Sequence, residues 1–347
     1  METPDAAAAE FALGSTYLNT ASCGVLPRRA VAALAALAGE LAAGRPGGAG
    51  DYGTVGAVRE SFAGLVGVDA GRVAVGSSLA TAVGLVAQSL PAGAEVLFPE
   101  GEYTSVVTPF TARGDLKPRY APLEGLADAV RPGTALVAFS AVQSADGRIA
   151  DLAAVREAAA AHGARTLADT SQSAGWLPLC AGDFDYTVTV AYKFLLGLRG
   201  VSFLTVTEEA QRTLRPLFAG TFASADGALY GPARELAANA RRFDESPAYP
   251  SFHALVPSLE LLAEAGTETV HRHVTGLARR LREGLAERGH TPVPGESAIV
   301  SVPGLADRVP ALAAQGIVTA ARAGGLRVSF HLYNTPGHVD RLLEALV

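Results

Sequence analysis

The chain has 347 residues, of which 49% are hydrophobic and 18% charged, a balance that excludes disordered and fibrous classes and leaves room for one large domain or two unequal ones. A formal net charge of −6, with no long lysine/arginine run, excludes broad binding to nucleic acid or to an anionic membrane. Two cysteines, Cys23 and Cys180, are too few for a disulfide framework or a four-cysteine zinc site, and they suit a reducing cytoplasm. The opening METPDAAAAEFALG is acidic where a signal peptide is basic, and no run approaches the roughly 20 apolar residues of a membrane span. A cytoplasmic, soluble enzyme or binding protein is expected.

In chain order, GRPGGAGDYG (44–53) reads as the most loop-like segment. Short apolar runs then alternate with helical patterns. RVAVG (72–76) reads as a strand, 79–90 as a helix closed by Pro91 and Gly93, EVLFPE (95–100) as a strand and 103–112 as a helix. TALVAFSAV (134–142) is a buried strand, and DLAAVREAAAAHG (151–163) a helix with Gly163 as its C-terminal stop. RTLAD (165–169), FDYTVTV (184–190) and VSFLTV (201–206) complete a strand series whose lack of polar alternation marks a parallel sheet covered on both faces. Beyond residue 207 helical patterns dominate: 208–218, 235–243, and 254–289 divided near Gly266. SAIVSVP (297–303) and LRVSFHLY (326–333) are strands, followed by a last helix at 337–347. The expected division is an amino-terminal segment (1–45) packing with the small domain, a large α/β domain (46–235) and a small α+β domain (236–347).

One lysine stands out. Lys117 and Lys193 are the only lysines, so 26 of the 28 basic residues are arginine (28 − 2). Lys193 lies in TVAYKFLLGLRG (189–200), an apolar setting. A lysine can lose its proton and attack a carbonyl, which guanidinium cannot do; alternatively its stem lies on apolar surface with the ammonium in water. Asp169 ends a predicted strand 24 residues earlier, at the edge where ligands of parallel sheets collect. It is either a helix N-cap or the partner of a cation such as the protonated ring nitrogen of pyridoxal phosphate. Gly76-Ser77-Ser78-Leu79-Ala80-Thr81 links a strand to a helix and is either a phosphate-binding turn or a plain connection.

Together these residues resemble the class V aminotransferase family, fold-type-I pyridoxal-phosphate enzymes that include cysteine desulfurases, isopenicillin N epimerases and ergothioneine C–S lyases. The resemblance runs from YLNTASCG (17–24) to RVSFHLYNT (327–335). It implies a large domain with a mostly parallel, seven-stranded-type sheet and a smaller α+β domain. DTSQSAGW (169–176) is similar to the family's Asp-x-x-Gln-x-x-Gly element, making Asp169 the ring-nitrogen partner and Gln172 a hydrogen-bond partner of the cofactor's phenolic oxygen. AYKFLLGLRG implies Lys193 as the Schiff-base lysine, and GEYTSVVTPF (101–110) implies Tyr103 stacked on the ring. Arg327 would hold the substrate carboxylate, with Arg322 and Asn19 as further contacts. Ser78, Leu79, Ala80 and Tyr192 would surround the phosphate, with Ser246 of RRFDESPAYPS (241–251) reaching the phosphate of a neighbouring subunit in a homodimer.

The departures shape the reaction expected. Desulfurases carry a nucleophilic cysteine in an extended loop before the final arginine, whereas ARAGGLRVSF (321–330) has neither. Tyr192, Val190 and Ala80 stand where relatives have His, Ser and Thr. The expectation is a pyridoxal-phosphate enzyme on an amino acid or amino-acid conjugate, with β-elimination first, transamination second, racemisation third, and a non-catalytic relative as the contrasting class. His271 and His273 are expected on a solvated surface and not at a metal; His331 and Tyr333 are as readily packing residues as catalytic ones.

Overall fold

The computed structural model describes residues 7–45 and 52–346. Residues 46–51, the centre of the predicted loop 44–53, lie outside them, as do residues 1–6 and 347. The strands are β1 (Thr16–Tyr17), β2 (Val73–Gly76), β3 (Glu95–Pro99), β4 (Lys117–Ala121), β5 (Thr134–Ser140), β6 (Arg165–Asp169), β7 (Tyr186–Val190), β8 (Ser202–Val206), β9 (Ile299–Pro303), β10 (Ile317–Val318), β11 (Ala320–Arg322) and β12 (Gly325–Ser329). The helices are α1 (Arg28–Ala42), α2 (Tyr52–Leu65), α3 (Leu79–Ser89), α4 (Thr104–Thr111), α5 (Leu152–His162), α6 (Glu208–Gln211), α7 (Tyr249–Ala265), α8 (Thr267–Glu287), α9 (Val309–Ala314) and α10 (Pro336–Ala345).

Seven strands form one sheet in the order β2-β8-β7-β6-β5-β3-β4. β4, β3, β5, β6 and β7 pair in parallel, while β8 is antiparallel to both β2 and β7. The carboxyl ends of β2, β3, β5, β6 and β7 therefore share one edge with the amino end of β8. A parallel ladder needs crossovers, and α4 and α5 supply them. β5 to β8 are buried along almost their whole length, which explains their unbroken apolar sequences.

β4 was not expected. Its residues Lys117, Pro118 and Tyr120 are exposed, and it pairs only with β3. Proline and lysine are tolerated at such an edge and discourage further pairing, so the segment carries no apolar signature. Two predicted helices are corrected. The pattern at 208–218 is helical only through Gln211, and Pro216, which disfavours helical backbone at Arg215, rules out a helix running on to 218. The pattern at 235–243 holds only a short 3₁₀ turn, Ala240–Phe243, because the Asn239 side chain accepts the Arg241 N–H and so starts a turn there.

A three-stranded antiparallel sheet, β11-β12-β9, carries the carboxy-terminal hairpin. β1 pairs with β10, and Asn19 bridges Ser329, so the amino-terminal segment is bonded to the carboxy-terminal one. One apolar cluster runs from Phe62, stacked on Phe203 at 3.9 Å, through Trp176 and Phe194 to Leu255 and Leu262 of α7. Among the described residues no helix is long and apolar enough to cross a membrane.

Candidate active site

The lysine follows β7 in a turn locked from several sides. Gly197 N–H donates to the Ala191 carbonyl (2.9 Å), and Leu196 N–H donates to that of Lys193 (3.1 Å). Leu196 sits at φ +56°, a left-handed conformation unfavourable for a leucine, and Ser258 of α7 donates to its carbonyl at 2.9 Å. Gly24 N–H donates to the Tyr192 carbonyl at 2.8 Å. His331 donates from Nε2 to the Phe194 carbonyl (3.0 Å), because its Nδ1 already accepts the Leu332 N–H. Burial holds that imidazole neutral, pushed down to about 4. Its role is packing and anchorage.

With Phe194, Leu195 and Leu196 sunk in the core, the Lys193 side chain is itself buried, only 6% of it exposed. The alternative of an ammonium reaching water does not hold. Burial, reinforced by the positive charges of Arg327, Arg199 and Arg322, pushes the amine down to about 8 against the pull of Asp169. A usable share is then unprotonated near neutral pH, as a nucleophile or base requires. Nζ lies 5.5 Å from the centre of the Tyr103 ring and 5.8 Å from that of Tyr192.

Asp169, at the end of β6, is buried, and its Oδ1 accepts the Ser171 N–H at 2.8 Å. The carboxyl thus caps the following turn as well as facing the lysine. Burial pushes its pKa up, against the pull of Lys193 and the Ser171 N–H. Gln172 donates from Nε2 to the Ala21 carbonyl (3.0 Å), and its Oε1 is buried with no protein partner. A buried carboxylate with no cation within ion-pair distance among the described residues, and an orphaned amide oxygen, are what a ring with a protonated nitrogen and polar substituents would complete.

At the end of β2, Ser78 caps α3, its Oγ accepting from Thr81 N (3.2 Å) and bonded to Thr81 Oγ1 (2.8 Å). The side chain of Ser78 is committed to its own helix, so an anion at this helix start would meet backbone N–H groups of Leu79 and Ala80. Ser202 of β8 donates to the Ser78 carbonyl (3.2 Å), and Ser77 donates to Glu245 (2.7 Å). Tyr192 is half-buried, and the Arg199 guanidinium stacks over its ring at 4.1 Å. Ser246 is exposed, with no hydrogen bond of its own among the described residues.

Arg327 of β12 is 2% exposed. Its Nη1 donates to the Ser144 carbonyl (2.6 Å), and its Nη2 to Ser22 Oγ (2.5 Å) and Asn19 Oδ1 (3.3 Å). Its Nε is buried without a partner. Burial, with Arg322 nearby, pushes the guanidinium down to about 10. Among the described residues no carboxylate lies within ion-pair distance of Arg327, Arg322 or Arg199. A buried cation without a counter-ion is costly, and an incoming carboxylate would relieve it.

The structure adds residues that the sequence reading passed over. Glu102 accepts four hydrogen bonds: from Tyr103 N–H (2.7 Å), Ser140 N–H (2.8 Å), Ser140 Oγ (2.5 Å) and Gln143 Nε2 (2.9 Å). It ties the start of α4, and Tyr103 with it, to the end of β5. Its signal was its place beside Tyr103 in GEYTS. Ser22 gave no signal, standing 305 positions from Arg327 in the chain. One expectation is corrected: His271 and His273 are not on a solvated surface. Both are part-buried: His271 stacks on Trp176 at 5.8 Å with an interplanar angle of 3°, and His273, on another side of α8, bonds the Asn334 carbonyl at 3.0 Å.

Residues 52–342 match the family model described as aminotransferase class-V. The chain belongs to that family. Pyridoxal phosphate is accordingly its cofactor, and the residues around Lys193 fit it. The chain is 29% identical to an isopenicillin N epimerase of Amycolatopsis lactamdurans, over 95% of this chain and 94% of the relative. It is 27% identical to the uncharacterized aminotransferase YcbU of Bacillus subtilis, over 83% and 82% respectively. Two solved structures share the fold at a TM-score of 0.85 each. One is an apo cysteine desulfurase from Thermococcus onnurineus, 21% identical, with coverage of 100% and 98%; the other is the cystine C-S lyase C-DES, 24% identical, with coverage of 96% and 97%. The membership also bears out the α/β, fold-type-I expectation.

Proposed function

We propose that this enzyme binds an amino acid or amino-acid conjugate in the cleft between Lys193 and Arg327 and eliminates a β-substituent, in the manner of a C–S lyase. The observation that carries the reading is Lys193, a buried amine held near pH 8 between Asp169 and a counter-ion-free arginine group. Bound pyridoxal phosphate supplies an electron sink that acidifies the Cα–H of an attached amino acid. The chain supplies the rest. Asp169 holds the ring nitrogen protonated, Gln172 meets the phenolic oxygen, and Tyr103, 40% exposed, offers its ring face for stacking. Arg327 and Asn19 would orient the carboxylate, and Lys193 would take the proton from Cα as the β-substituent leaves Cβ with its bonding electrons, then serve as the acid that protonates the departing group. The backbone at Ser78–Ala80 and the Tyr192 hydroxyl hold the phosphate, assisted by Ser246 of a second copy in a homodimer. The exposed Leu217, Phe218, Leu229 and Tyr230 favour such a pairing.

Desulfurase chemistry, with a persulfide formed on an enzyme cysteine, is disfavoured by the hairpin: Arg322 pairs with Gly325 across only Ala323 and Gly324, leaving no loop and no cysteine. Transamination is the second reading, favoured by the likeness to the Bacillus subtilis aminotransferase. The test is the purified protein's spectrum. A visible band that borohydride bleaches, and that Lys193→Ala lacks, is expected; a protein that added pyridoxal phosphate cannot colour would overturn the reading. Pyruvate and ammonia from β-substituted amino acids support elimination. Amino transfer to a keto acid without them would reverse the order.

A further inference from the structure

Resting on that reading of the cleft, we propose that the substrate carries a second anionic group beyond the carboxylate held by Arg327, and that Arg322 recognises it. The hairpin register brings the two guanidinium groups together. Ala320 pairs with Arg327 and Arg322 with Gly325, so Arg322 and Arg327 lie on one face as diagonal neighbours, about 7–8 Å apart at the backbone. Both reach the same hydroxyl: Ser22 Oγ accepts from Arg327 Nη2 at 2.5 Å and from Arg322 Nη2 at 3.4 Å. The turn between them is rigid and short, Ala323 at φ +44° and Gly324 at φ +76°, so Arg322 cannot swing away with a loop.

The two arginines differ in depth. Arg327 is buried, while Arg322 is exposed, with Nη1 folded onto its own strand at the Ala321 carbonyl (2.7 Å). A carboxylate beside Arg327 balances one charge. Arg322 then remains at the rim without a counter-ion, its charge pressing on both Arg327 and Lys193. A second anionic group, on the side chain or the conjugated part of the substrate, balances it. Guanidinium is suited to a carboxylate by its paired donors. The substrate class is therefore an amino diacid or an amino acid conjugated to a group that carries a free acid.

The holoenzyme is titrated with L-glutamate and L-aspartate against their neutral isosteres L-glutamine and L-asparagine, following the cofactor's absorbance. At least one acid is expected to bind roughly tenfold more tightly than its amide, the scale of one charge-assisted contact. Arg322→Gln is expected to collapse that preference toward unity, and Arg322→Lys to retain part of it. Independently of turnover, glutarate should bind the cofactor-free protein more tightly than butyrate by calorimetry, and Arg322→Gln should erase the difference. If acids and amides perturb the absorbance equally, the inference is overturned while the reading of the cleft stands. If Arg322→Gln weakens acid and amide alike, the two arginines share one carboxylate and the inference again falls. If no amino acid perturbs the absorbance, both fall together.

Discussion

Gly24 lies against the carbonyl of Lys193: a methyl group on its Cα would sit 2.2 Å from that oxygen. Its own N–H holds the Tyr192 carbonyl, so the amino-terminal loop and the lysine turn fit only if residue 24 has no side chain. Gly24→Ala must move one of them, and overpacking of this kind costs about 1–3 kcal/mol. The variant should melt several degrees lower and lose cofactor colour disproportionately. Equal colour per folded molecule would mean that the turn is free to yield.

Lys193 should destabilise the fold it serves. Its amine is held at about 8 against the ordinary 10.5, so the protonated form is disfavoured in the folded state. The penalty is complete below pH 8 and fades as pH rises from 8 toward 10.5, amounting to roughly 3 kcal/mol at its largest. Cofactor-free Lys193→Met should therefore unfold at higher denaturant than the parent at pH 7, with the gap narrowing by pH 10. A variant no more stable than the parent would show that the amine is not held down by burial.

Protonation of His331 works in the opposite pH range. The imidazole is held at about 4 against 6.5, so stability is intact above 6.5 and falls as pH drops toward 4, by roughly 3 kcal/mol. His331→Phe removes this acid sensitivity but strands the Phe194 carbonyl, a loss of about 1–3 kcal/mol at neutral pH. Denaturant midpoints from pH 4.5 to 7.5 should therefore converge for parent and variant at the acid end. Parallel curves would show that His331 does not carry the acid sensitivity.

Glu102 gathers four donors onto one carboxylate, two of them from Ser140. Glu102→Ala removes every one of those bonds and frees the start of α4, where Tyr103 sits. Cofactor affinity should fall by roughly tenfold, the scale of one charged hydrogen bond lost from the ring's support. The circular dichroism of the cofactor band should weaken with it. Unchanged affinity would detach Tyr103 from cofactor stacking.

What the sequence made legible follows from distance along the chain and from burial. β5 to β8 announced themselves because both faces are covered, Lys193 because it is one of two lysines and sits in an apolar run, and Asp169 and Gln172 because one short motif holds both. β4 was silent because its residues face solvent at an edge. Ser22 and the Ser144 carbonyl were silent because nothing local relates them to Arg327. Glu102 looked like one acidic residue among 34 acidic positions until its donors were visible. The αL backbone of Leu196 had no signal either, since leucine is a poor predictor of that conformation.

The reversed strand β8 also bears on the order of assembly. Because it runs back beside β7, residues 191–201 close the lysine turn as a local hairpin, where a parallel neighbour would have required a crossover. Asp169 joins from the strand next to β7, with short loop closure throughout. Arg327 arrives from a hairpin more than a hundred residues later, fastened to Ser22 near the start of the chain. Contacts of low sequence separation form fastest. The lysine hairpin is therefore the early, local unit, whereas the contacts that lock it, Gly24 on the Tyr192 carbonyl, Ser258 on that of Leu196 and His331 on that of Phe194, wait with Arg327 for distant parts of the chain to close.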